Sequence, residues 1–366
     1  MKKHKPIIGL IVLILIVALI VSQKTDLGGN GTKENLQDTK EEVKVGFGSS
    51  LLLDSAHTYD IEVADLNNDG YQDLIAGNYN QENVVYFNNQ DGTFAKLHLD
   101  KKDYTKVIKA ADINKDGNLD LVVGNFNQPT YVYINNGGAF FLSQQLEKSF
   151  VEDLVIADFD KDGDNDIVTG TNYKENLVYL NNGEGKFERD SWSEKIHITS
   201  LVVFDYNRDS YPDLIVGADS EPTRIYLNDG AGNFYPSETE LGEKEHTKDL
   251  ELIDYNQDGK VDLIQGNNNQ DNYIWDNIET KYVEFNKGNT YAVAVGDLDN
   301  NGDEDVVIGN YNGPVEVYLN DAGQFLLSSQ NGKHYVYDLE IADINKDGTQ
   351  DIIIAKDNQE SEVLLG

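Results

Sequence analysis

Short apolar runs alternate with polar clusters along nearly the whole chain. In the first clear unit, Asp60–Ala64 alternates polar and apolar side chains, which is the period of a half-buried strand. Further short runs follow at Leu74–Gly77, Val84–Phe87 and Phe94–Leu99, and turns rich in Asn, Asp and Gly separate them. The pattern predicts four short strands in this unit. It shows no helical periodicity beyond the N-terminus.

A nine-residue polar pattern repeats through the chain, of the form Asp-x-Asn/Asp-x-Asp-Gly-x-x-Asp followed by an aliphatic residue. Its seven copies begin at Asp65, Asp112, Asp158, Asp205, Asp254, Asp297 and Asp343, at intervals of 43–49 residues. Four short strands in each such period are typical of the blades of a β-propeller. The sequence therefore predicts an all-β fold, a seven-bladed β-propeller over residues 45–366.

The two ends of the repeat array complement each other. The seventh unit stops after its third strand, Glu362–Leu365, while a strand that matches the missing fourth one lies at Gly46–Leu53, with Phe47 in the place of Phe94. We therefore predict that this N-terminal strand completes the last blade and leaves only short, protected sheet edges. An open solenoid is the alternative, but it would need capping repeats.

The N-terminal segment has a different character. Lysines at positions 2, 3 and 5 precede fifteen apolar residues, Ile7–Val21. A helix of this length rises about 22 Å, which suits a signal peptide or a short signal anchor. No clean cleavage site follows, so we predict an uncleaved hydrophobic helix at residues 1–22 and a flexible linker at residues 23–44. The basic flank predicts a cytoplasmic N-terminus and a surface-exposed remainder; secretion after cleavage is the alternative.

Composition narrows the classes of function. The chain has 65 Asp and Glu against 29 Lys and Arg, a net charge of -36, which argues against a nucleic-acid partner because phosphate contacts need a basic patch. It also argues against attachment to anionic lipid by charge, so membrane contact is expected through the N-terminal helix alone. With 39% hydrophobic residues the chain can build a core, and without Cys it has no disulfide or thiolate zinc site.

The first acidic loop has the chemistry of a calcium site. Asp65, Asn67, Asp69 and Asp73 occupy positions one, three, five and nine, and Gly70 permits the bend between them. An all-oxygen, flexible donor set suits Ca²⁺ better than Zn²⁺ or Cu²⁺. The alternative is that Asp and Asn only cap turns. Against it, three carboxylates within a few Å of one another disfavour the ionised form unless a cation lies between them.

These loops, with the aliphatic strand and the Gly after each of them, resemble FG-GAP/VCBS repeats, the blades of integrin α-subunit propellers. The resemblance covers about residues 45–366 and implies that each loop joins the first two strands of a blade and binds Ca²⁺, up to seven ions in all. The Gly-Ala-Pro element of integrin repeats is absent, so integrin ligand specificity is not carried over. The implied ligands are Asp65, Asn67, Asp69, Asp73, Asp112, Asn114, Asp116, Asp120, Asp158, Asp160, Asp162, Asp166, Asp205, Asn207, Asp209, Asp213, Asp254, Asn256, Asp258, Asp262, Asp297, Asp299, Asn301, Asp305, Asp343, Asn345, Asp347 and Asp351.

Two of the seven loops depart from the family pattern. The fourth has Ser210 where Gly is expected, with Pro212 beside it, and the sixth has Asn301 in place of the middle Asp. Each keeps three carboxylates. We expect both loops to bind Ca²⁺ less well than the other five.

The resemblance also implies a partner face opposite the calcium loops, formed by the second-to-third turns and the links between blades. Aromatic and His side chains recur there, and aromatic faces beside amide donors suit a sugar or a polar protein surface. The alternative is that these residues staple neighbouring blades together. The candidate partner-binding residues are Tyr79, Phe126, Tyr173, Tyr311, His57, Tyr104, His197, His246 and Tyr335.

No catalytic motif stands out in the sequence. A second acidic set precedes the loops, and we expect solvated strand ends there rather than an acidic channel. We expect an exported, membrane-anchored calcium-binding propeller that recognises a protein in adhesion; a glycan-binding lectin and a polysaccharide-acting enzyme are the alternatives. The second acidic set comprises Asp60, Asp153, Asp249, Asp338, Glu62, Glu251 and Glu340.

Overall fold

The computed structural model describes residues 49–192, 195–285 and 287–366. The predicted N-terminal helix (1–22), the linker (23–44) and the start of the closing strand, up to residue 48, lie outside them. The described residues form strands and no helix, as the alternating pattern predicts. Within this part of the chain, no helix has the length and apolar character needed to span a membrane.

The strands follow one another at intervals set by the repeat. In chain order they are β1 (Ser49–Ala64), β2 (Asp73–Asn88), β3 (Phe94–Ala111), β4 (Asp120–Asn135), β5 (Phe140–Ala157), β6 (Asp166–Thr171), β7 (Asn176–Asn181), β8 (Phe187–Trp192), β9 (Ile198–Phe204), β10 (Asp213–Asn228), β11 (Phe234–Ile253), β12 (Asp262–Asn267), β13 (Asn272–Asp276), β14 (Thr280–Phe285), β15 (Thr290–Gly296), β16 (Asp305–Asp321), β17 (Gln324–Ala342) and β18 (Asp351–Leu365).

Each repeat forms an antiparallel sheet, and five long strands, β1, β3, β5, β11 and β17, each serve two sheets. The second half of β1 pairs with the first half of β2, and the second half of β2 pairs with the first half of β3. The second half of β3 then pairs with β4 in the next sheet. The outer strand of one sheet therefore continues into the inner strand of the next, and the fold consists of propeller-like repeats.

Four separate strands per repeat are only partly observed. In the third and fifth repeats the second and third strands are separate, as β6 with β7 and β12 with β13. In the first repeat they merge into β2, because residues of the turn between them also pair with the following link, as Tyr79 does with Tyr104. This extra pairing makes the strand continuous through the turn, although Asn80 within it has a left-handed φ of 59°.

The first and last repeats lie side by side. β1 pairs with β18 from Ser49↔Leu365 to Leu52↔Glu362, which confirms the predicted exchange for the described part of the N-terminal strand. The Ile61 backbone N–H donates to Asp338 Oδ2 at 2.8 Å across the same junction. One buried apolar cluster combines side chains from both repeats, including Leu53, Ile61, Leu74, Ile353 and Val363.

Every inner strand carries a register irregularity six residues before the first Asp of its loop. In the first repeat Thr58 pairs with Asn78 and Asp60 with Gly77, so Tyr59 is the extra residue. A bulge of this kind re-aims a side chain and interrupts the alternation of faces. The bulged residues are Tyr59, Lys106, Glu152, Thr199, Lys248, Tyr291 and Tyr337.

Candidate functional site

The seven acidic loops share one backbone conformation. The fourth residue of every loop is left-handed, with φ between 55° and 62°, and in six loops the sixth residue is a Gly with φ between 78° and 93°. The fourth loop places Ser210 in this position, with φ 74°. Glycine adopts such angles without steric cost, whereas a residue with a Cβ atom is strained there. The departure seen in the sequence of the fourth loop is therefore a local backbone strain.

Hydrogen bonds within each loop orient its polar side chains. In the first loop, the Asp69 N–H donates to Asp65 Oδ1 at 3.1 Å and to Asn67 Oδ1 at 2.9 Å, and the Gly70 N–H donates to Asp65 Oδ2 at 2.7 Å. The Tyr71 N–H donates to Asp69 Oδ1 at 2.9 Å. The side chains at positions one and three thus fold over the loop, while position five caps the backbone of position seven.

The ninth residue of each loop is a buried Asp that anchors the loop. Leu66 N–H and Asn88 N–H donate to the two carboxylate oxygens of Asp73, at 3.0 and 2.8 Å. Burial raises the pKa of Asp73 to about 6; the two backbone donors oppose the rise, and the nearby loop carboxylates add to it. Burial likewise raises the pKa to about 6 at Asp166, Asp262 and Asp305.

Carboxylates converge most closely in the third and sixth loops. In the third loop, oxygens of Asp158, Asp160 and Asp166 lie within 4.8 Å of one another, and the corresponding three residues of the sixth loop do the same. Asp158 Oδ1 is buried and has no hydrogen-bond partner among the described residues. A cluster of hard oxygen donors with one unsatisfied buried acceptor fits a Ca²⁺ ion. The donor sets of these two loops therefore suit calcium.

The converging positions are one, three and nine of the loop. Position five lies outside both clusters, so the Asn301 substitution in the sixth loop leaves its cluster intact. This geometry gives no reason to rank the sixth loop below the others, whereas the fourth carries the strain at Ser210. The side chains that cap the seventh backbone N–H are Asp69, Asp116, Asp162, Asp209, Asp258, Asn301 and Asp347.

A spacing that recurs within the chain links the loops to the neighbouring repeats, although the sequence analysis above did not identify it. An Asn stands fifteen residues after most ninth-position Asp residues; Asn135, for example, donates its backbone N–H to Asp120. Its side-chain Nδ2 donates to the Leu66 carbonyl of the preceding loop at 2.7 Å. Because Asn recurs at this offset, the repeat pattern itself held the signal. The Asn residues that bond to the preceding loop in this way are Asn88, Asn135, Asn181, Asn228 and Asn320.

The candidate partner-binding residues lie where two repeats meet, at the end of the sheets that carries the links; we call it the link end. Tyr173 and Tyr335 remain exposed, at 59% and 37%. Residues of the second-to-third turn contact the link of the next repeat, so these side chains do join neighbouring repeats. The contacts are Tyr79–Tyr104, Phe126–Phe150, Tyr173–His197 and Tyr311–Tyr335 between rings, and His57–Asp357 and His246–Asp219 between polar groups.

Three bulged tyrosines extend these pairs into one aromatic surface. The Tyr59 and Tyr337 ring centroids lie 3.8 Å apart, Tyr59 lies 5.1 Å from Tyr79, and Tyr337 lies 5.4 Å from Tyr311. A simple alternation of faces would have turned the bulged residues away, so the sequence pattern did not reveal them. The tyrosine cluster comprises Tyr59, Tyr79, Tyr104, Tyr291, Tyr311, Tyr335 and Tyr337.

The second acidic set lines a cavity of about 480 Å³ between the inner strands. The expectation of solvated strand ends is wrong, because the four Asp residues of this set each accept a hydrogen bond from the inner strand of a neighbouring repeat. Asp60 Oδ2 accepts a hydrogen bond from Ile108 N–H at 2.8 Å, and Asp153 Oδ2 accepts one from Leu201 N–H at 2.6 Å. Asp249 and Asp338 make the equivalent bonds to Val293 and Ile61.

Burial in the cavity wall shifts the titration of these acids. It raises the pKa of Asp153 to about 6, and with neighbouring carboxylates it raises those of Glu251 and Asp338 to about 7 and that of Asp249 to about 8. The Lys109 ammonium opposes the rise at Asp153, Glu251 and Asp338. The cavity therefore combines buried carboxyl groups with an internal cation.

Comparison with known proteins connects the loops to one repeat family. A family model described as FG-GAP-like repeat matches residues 65–123, 112–169, 158–216, 205–265, 254–308 and 297–354. Each match runs from one acidic loop to the buried strand that follows the next loop. No curated protein matches the chain.

Solved structures of similar fold have little sequence in common with the chain. The crystal structure of BBS1N in complex with ARL6DN, soaked with mercury, has a TM-score of 0.62 at 14% identity and covers 87% of this chain and 97% of that one. The same complex soaked with lead has a TM-score of 0.63 at 14% identity, over 86% and 97%. The computationally designed Ika8 protein has a TM-score of 0.55 at 13% identity, over 87% and 98%. These likenesses concern the fold alone.

Proposed function

This chain belongs to the FG-GAP-like repeat family, and we propose from that membership that it is a calcium-stabilised, seven-bladed β-propeller that recognises a protein partner at the cell surface. The blade number is supported by one sheet for each acidic loop and by the pairing of β1 with β18. Propellers of this family are typically interaction modules without enzymatic activity, which favours recognition over catalysis.

Calcium in this proposal is a structural ion. FG-GAP repeats often bind Ca²⁺, and the converging carboxylates of the third and sixth loops support the same role here. Extracellular calcium modules bind with Kd on the order of 10⁻⁴–10⁻³ M. At tenfold excess over Kd, an ion that binds only the folded state stabilises it by about 1.4 kcal/mol per site.

The tyrosine cluster is the observation that carries the recognition proposal. It is a stacked aromatic surface at the link end, and its Tyr335 is exposed, as is Tyr173 between the third and fourth repeats. Tyrosines supply large apolar area with a polar hydroxyl, a combination enriched in protein interfaces. The similar BBS1N structure was determined in complex with ARL6DN, which supports a protein as the partner of this fold.

The N-terminal segment supports a location of the partner at the cell surface. Lysines at positions 2, 3 and 5 and the apolar run Ile7–Val21 support export with an uncleaved anchor. The propeller then lies outside the cytoplasm on a linker of about twenty residues. Millimolar calcium outside the cell suits the affinity expected of the loops.

Site-specific photo-crosslinking on cells that display the full chain tests this proposal. We place a photoreactive amino acid at Tyr173 or Tyr335 at the link end, and at the exposed Glu184 in a third-to-fourth turn beside the loops as the matched control. The proposal predicts a discrete protein adduct from the two link-end positions and none from Glu184. Adducts that disappear on glycosidase treatment would support the lectin alternative. Adducts from Glu184 alone would overturn the assignment of the partner surface.

A further inference from the structure

A pocket of about 450 Å³ opens at the link end of the third repeat, between the links that enter and leave it. Its volume lies in the usual range for a binding site, roughly 300–1,000 Å³. Lys148, Lys174 and Lys195 line the pocket, together with the rings of Phe150 and Tyr173. Tyr173 is 59% exposed. The pocket therefore combines ammonium groups with an aromatic face that is open to solvent.

The charge of this pocket is opposite to that of the chain. Among the described residues of its wall, the other charged groups are Arg189, Glu147 and Glu175, so four cations face two carboxylates in a chain of net charge -36. Both carboxylates already pair with the arginine, because Arg189 Nη1 lies 3.1 Å from Glu147 Oε2 and its Nη2 lies 2.8 Å from Glu175 Oε2. No described carboxylate lies within 4.0 Å of the three lysine Nζ atoms. The lysine charges are therefore available to a group from outside the chain.

Two of these lysines stand at a position that recurs along the chain. A Lys precedes the first loop Asp by ten residues in six of the seven repeats, and all six are exposed. Among the described carboxylates, only that of Glu221 lies within 4.0 Å of one of them, 3.6 Å from Lys244. An exposed lysine at a sheet edge deters pairing with another chain, which accounts for the recurrence. It does not account for Lys174, which stands elsewhere in the repeat. The six lysines are Lys102, Lys148, Lys195, Lys244, Lys287 and Lys333.

Lys174 replaces a glutamine that has a structural role in four other repeats. The Gln at this position accepts the backbone N–H of the link residue in its own repeat; Gln128 Oε1, for example, accepts the Tyr104 N–H at 2.6 Å. Lysine has no acceptor, and Lys174 Nζ instead lies 5.2 Å from the centre of the ring of Phe150, the corresponding link residue. The third repeat thus has a cation at the pocket in place of a stabilising hydrogen bond. The four hydrogen-bonded pairs are Gln81–His57, Gln128–Tyr104, Gln270–His246 and Gln359–Tyr335.

Backbone contacts hold the aromatic side of the pocket in place. The Tyr173 N–H donates to the Ile196 carbonyl at 3.3 Å, and Asn172 forms a backbone bridge with His197. The Tyr173 ring lies 5.3 Å from the ring of His197. A surface that is fixed before binding loses less conformational freedom when a partner binds. The pocket is therefore a preformed site with cationic and aromatic walls.

We propose that this pocket binds an acidic segment of the protein partner, with the carboxylates of that segment paired to Lys148, Lys174 and Lys195 and its apolar atoms in contact with Tyr173. The inference rests on the proposed partner surface at the link end and adds the chemistry of the partner. The negative charge of the rest of the chain does not prevent such binding, because exposed charges more than about 8 Å apart are largely screened at physiological ionic strength. The lysines of the pocket then dominate the local interaction.

Fluorescence anisotropy of labelled hexaglutamate tests the proposal, with the full chain in non-ionic detergent, saturating Ca²⁺ and about 0.15 M salt. The expected result is one hexaglutamate per chain, with hexaglutamine at least tenfold weaker. Lys148→Glu/Lys174→Glu should weaken hexaglutamate binding at least tenfold, because two attractive pairs become repulsive. Both lysines are exposed, so the melting temperature of the variant should match that of the parent chain.

Lys174→Glu and Lys186→Glu form a matched pair for the same titration. Both lysines are exposed residues of the third repeat and both substitutions change the charge equally, but Lys186 lies in the third-to-fourth turn beside the loops. Lys174→Glu should weaken hexaglutamate binding by about threefold or more, whereas Lys186→Glu should bind as the parent chain does. Equal losses in the two variants would show that net charge, and not the pocket, sets the affinity, and would overturn the proposal.

Two further probes separate the alternatives. A heparin-derived tetrasaccharide or phosphatidylglycerol vesicles may be compared with hexaglutamate on the parent chain and on Lys148→Glu/Lys174→Glu. Tighter binding of either probe than of hexaglutamate, lost in the variant, would assign the pocket to a sulfated glycan or a lipid surface and contradict an acidic peptide.

The outcome is also separable from that of the proposed function. A parent chain that binds no hexaglutamate would overturn the acidic-segment proposal, even if photo-crosslinking at Tyr173 captures a protein. Hexaglutamate binding that depends on Lys174 would support the pocket, even if no protein adduct forms at the link end, a result that would count against the proposed function alone.

Discussion

The acidic loops and the acidic cavity wall contain the same types of side chain, but those side chains have different partners. The loop acids occur in seven nearly identical copies, each within nine residues, and in the third and sixth loops three carboxylates converge within 4.8 Å of one another. The cavity acids come from distant repeats, and their Asp carboxylates accept backbone N–H groups of other inner strands. The clustered carboxylates of the third and sixth loops thus offer oxygen donors to an added ion, whereas the four Asp residues of the cavity accept hydrogen bonds from the fold itself.

Within one loop the same contrast is sharpest between Asp166 and Asp160. Asp166 is fully buried and accepts N–H groups from Phe159 and Asn181 at 2.9 and 2.8 Å. Asp166→Ala leaves both donors unsatisfied, at about 1–3 kcal/mol each, so we expect a loss of about 3 kcal/mol or more in the free energy of unfolding. Chemical denaturation of the parent chain and the variant, once in Ca²⁺ and once in EDTA, measures this loss. The loss should be present in both buffers.

Asp160→Ala is the matched control for that experiment. Asp160 is partly exposed and belongs to the converging cluster. Its substitution should cost about 1 kcal/mol in Ca²⁺, through weaker ion binding, and almost nothing in EDTA. If the two variants lose the same stability in both buffers, the distinction between an anchoring Asp and an ion-binding Asp is wrong.

The cavity acids predict a pH dependence that calcium does not remove. Their folded pKa values of about 6 to 8 exceed the ordinary value of about 4, so the folded state binds more protons than the unfolded chain between those pH values. Their contribution is therefore most favourable below about pH 4 and is lost as pH rises to about 8.

Glu251→Gln isolates this effect, because Gln cannot ionise. In saturating Ca²⁺ we expect the variant to gain on the order of 1–3 kcal/mol over the parent chain at pH 8 and nothing at pH 4, as measured by denaturant unfolding. An equal change at both pH values would show that packing, and not the buried charge, sets the cost of Glu251.

The fourth loop offers the smallest and most local test. Ser210 holds a left-handed φ of 74°, so Ser210→Gly should stabilise the protein by about 1 kcal/mol, read as a rise in melting temperature. Gly163→Ser in the third loop is the reciprocal change, at φ 92°, and should destabilise by a similar amount. If Ser210→Gly lowers the melting temperature, the Ser210 hydroxyl stabilises the folded state by more than its left-handed backbone destabilises it.

Local repetition explains what the sequence could predict. The period, the all-β class, the acidic loops and the exchange of the N-terminal strand all depend on residues that recur at fixed offsets within one repeat. Positions one, three and nine converge in the third and sixth loops, while position five, which the pattern also implied as a ligand, lies outside both clusters. Asx-type hydrogen bonds such as Asp69 N–H to Asn67 Oδ1 shape each loop from its own residues.

The cavity could not be read in the same way, for two physical reasons. The bulge at Tyr59 breaks the alternation of faces, so a strict period of two turns this side chain away from the wall that it lines. The carboxylate of Asp338 meets the Ile61 N–H only when the last repeat lies beside the first, a contact 277 residues apart in sequence. Sequence patterns report on neighbours within a repeat, not on partners that closure brings together.

Thermal unfolding of the full chain against Ca²⁺ concentration, after removal of metal with EDTA, tests the calcium account most directly. If the loops bind calcium, the melting temperature should rise with Ca²⁺ concentration over roughly 10⁻⁴–10⁻³ M. The free energy of unfolding should increase by about 1.4 kcal/mol per occupied loop when Ca²⁺ is at tenfold excess over Kd. Mg²⁺ should substitute poorly, because it demands a tighter octahedral set of ligands. The same melting temperature in EDTA and in Ca²⁺ at about ten times Kd would contradict calcium binding by the loops.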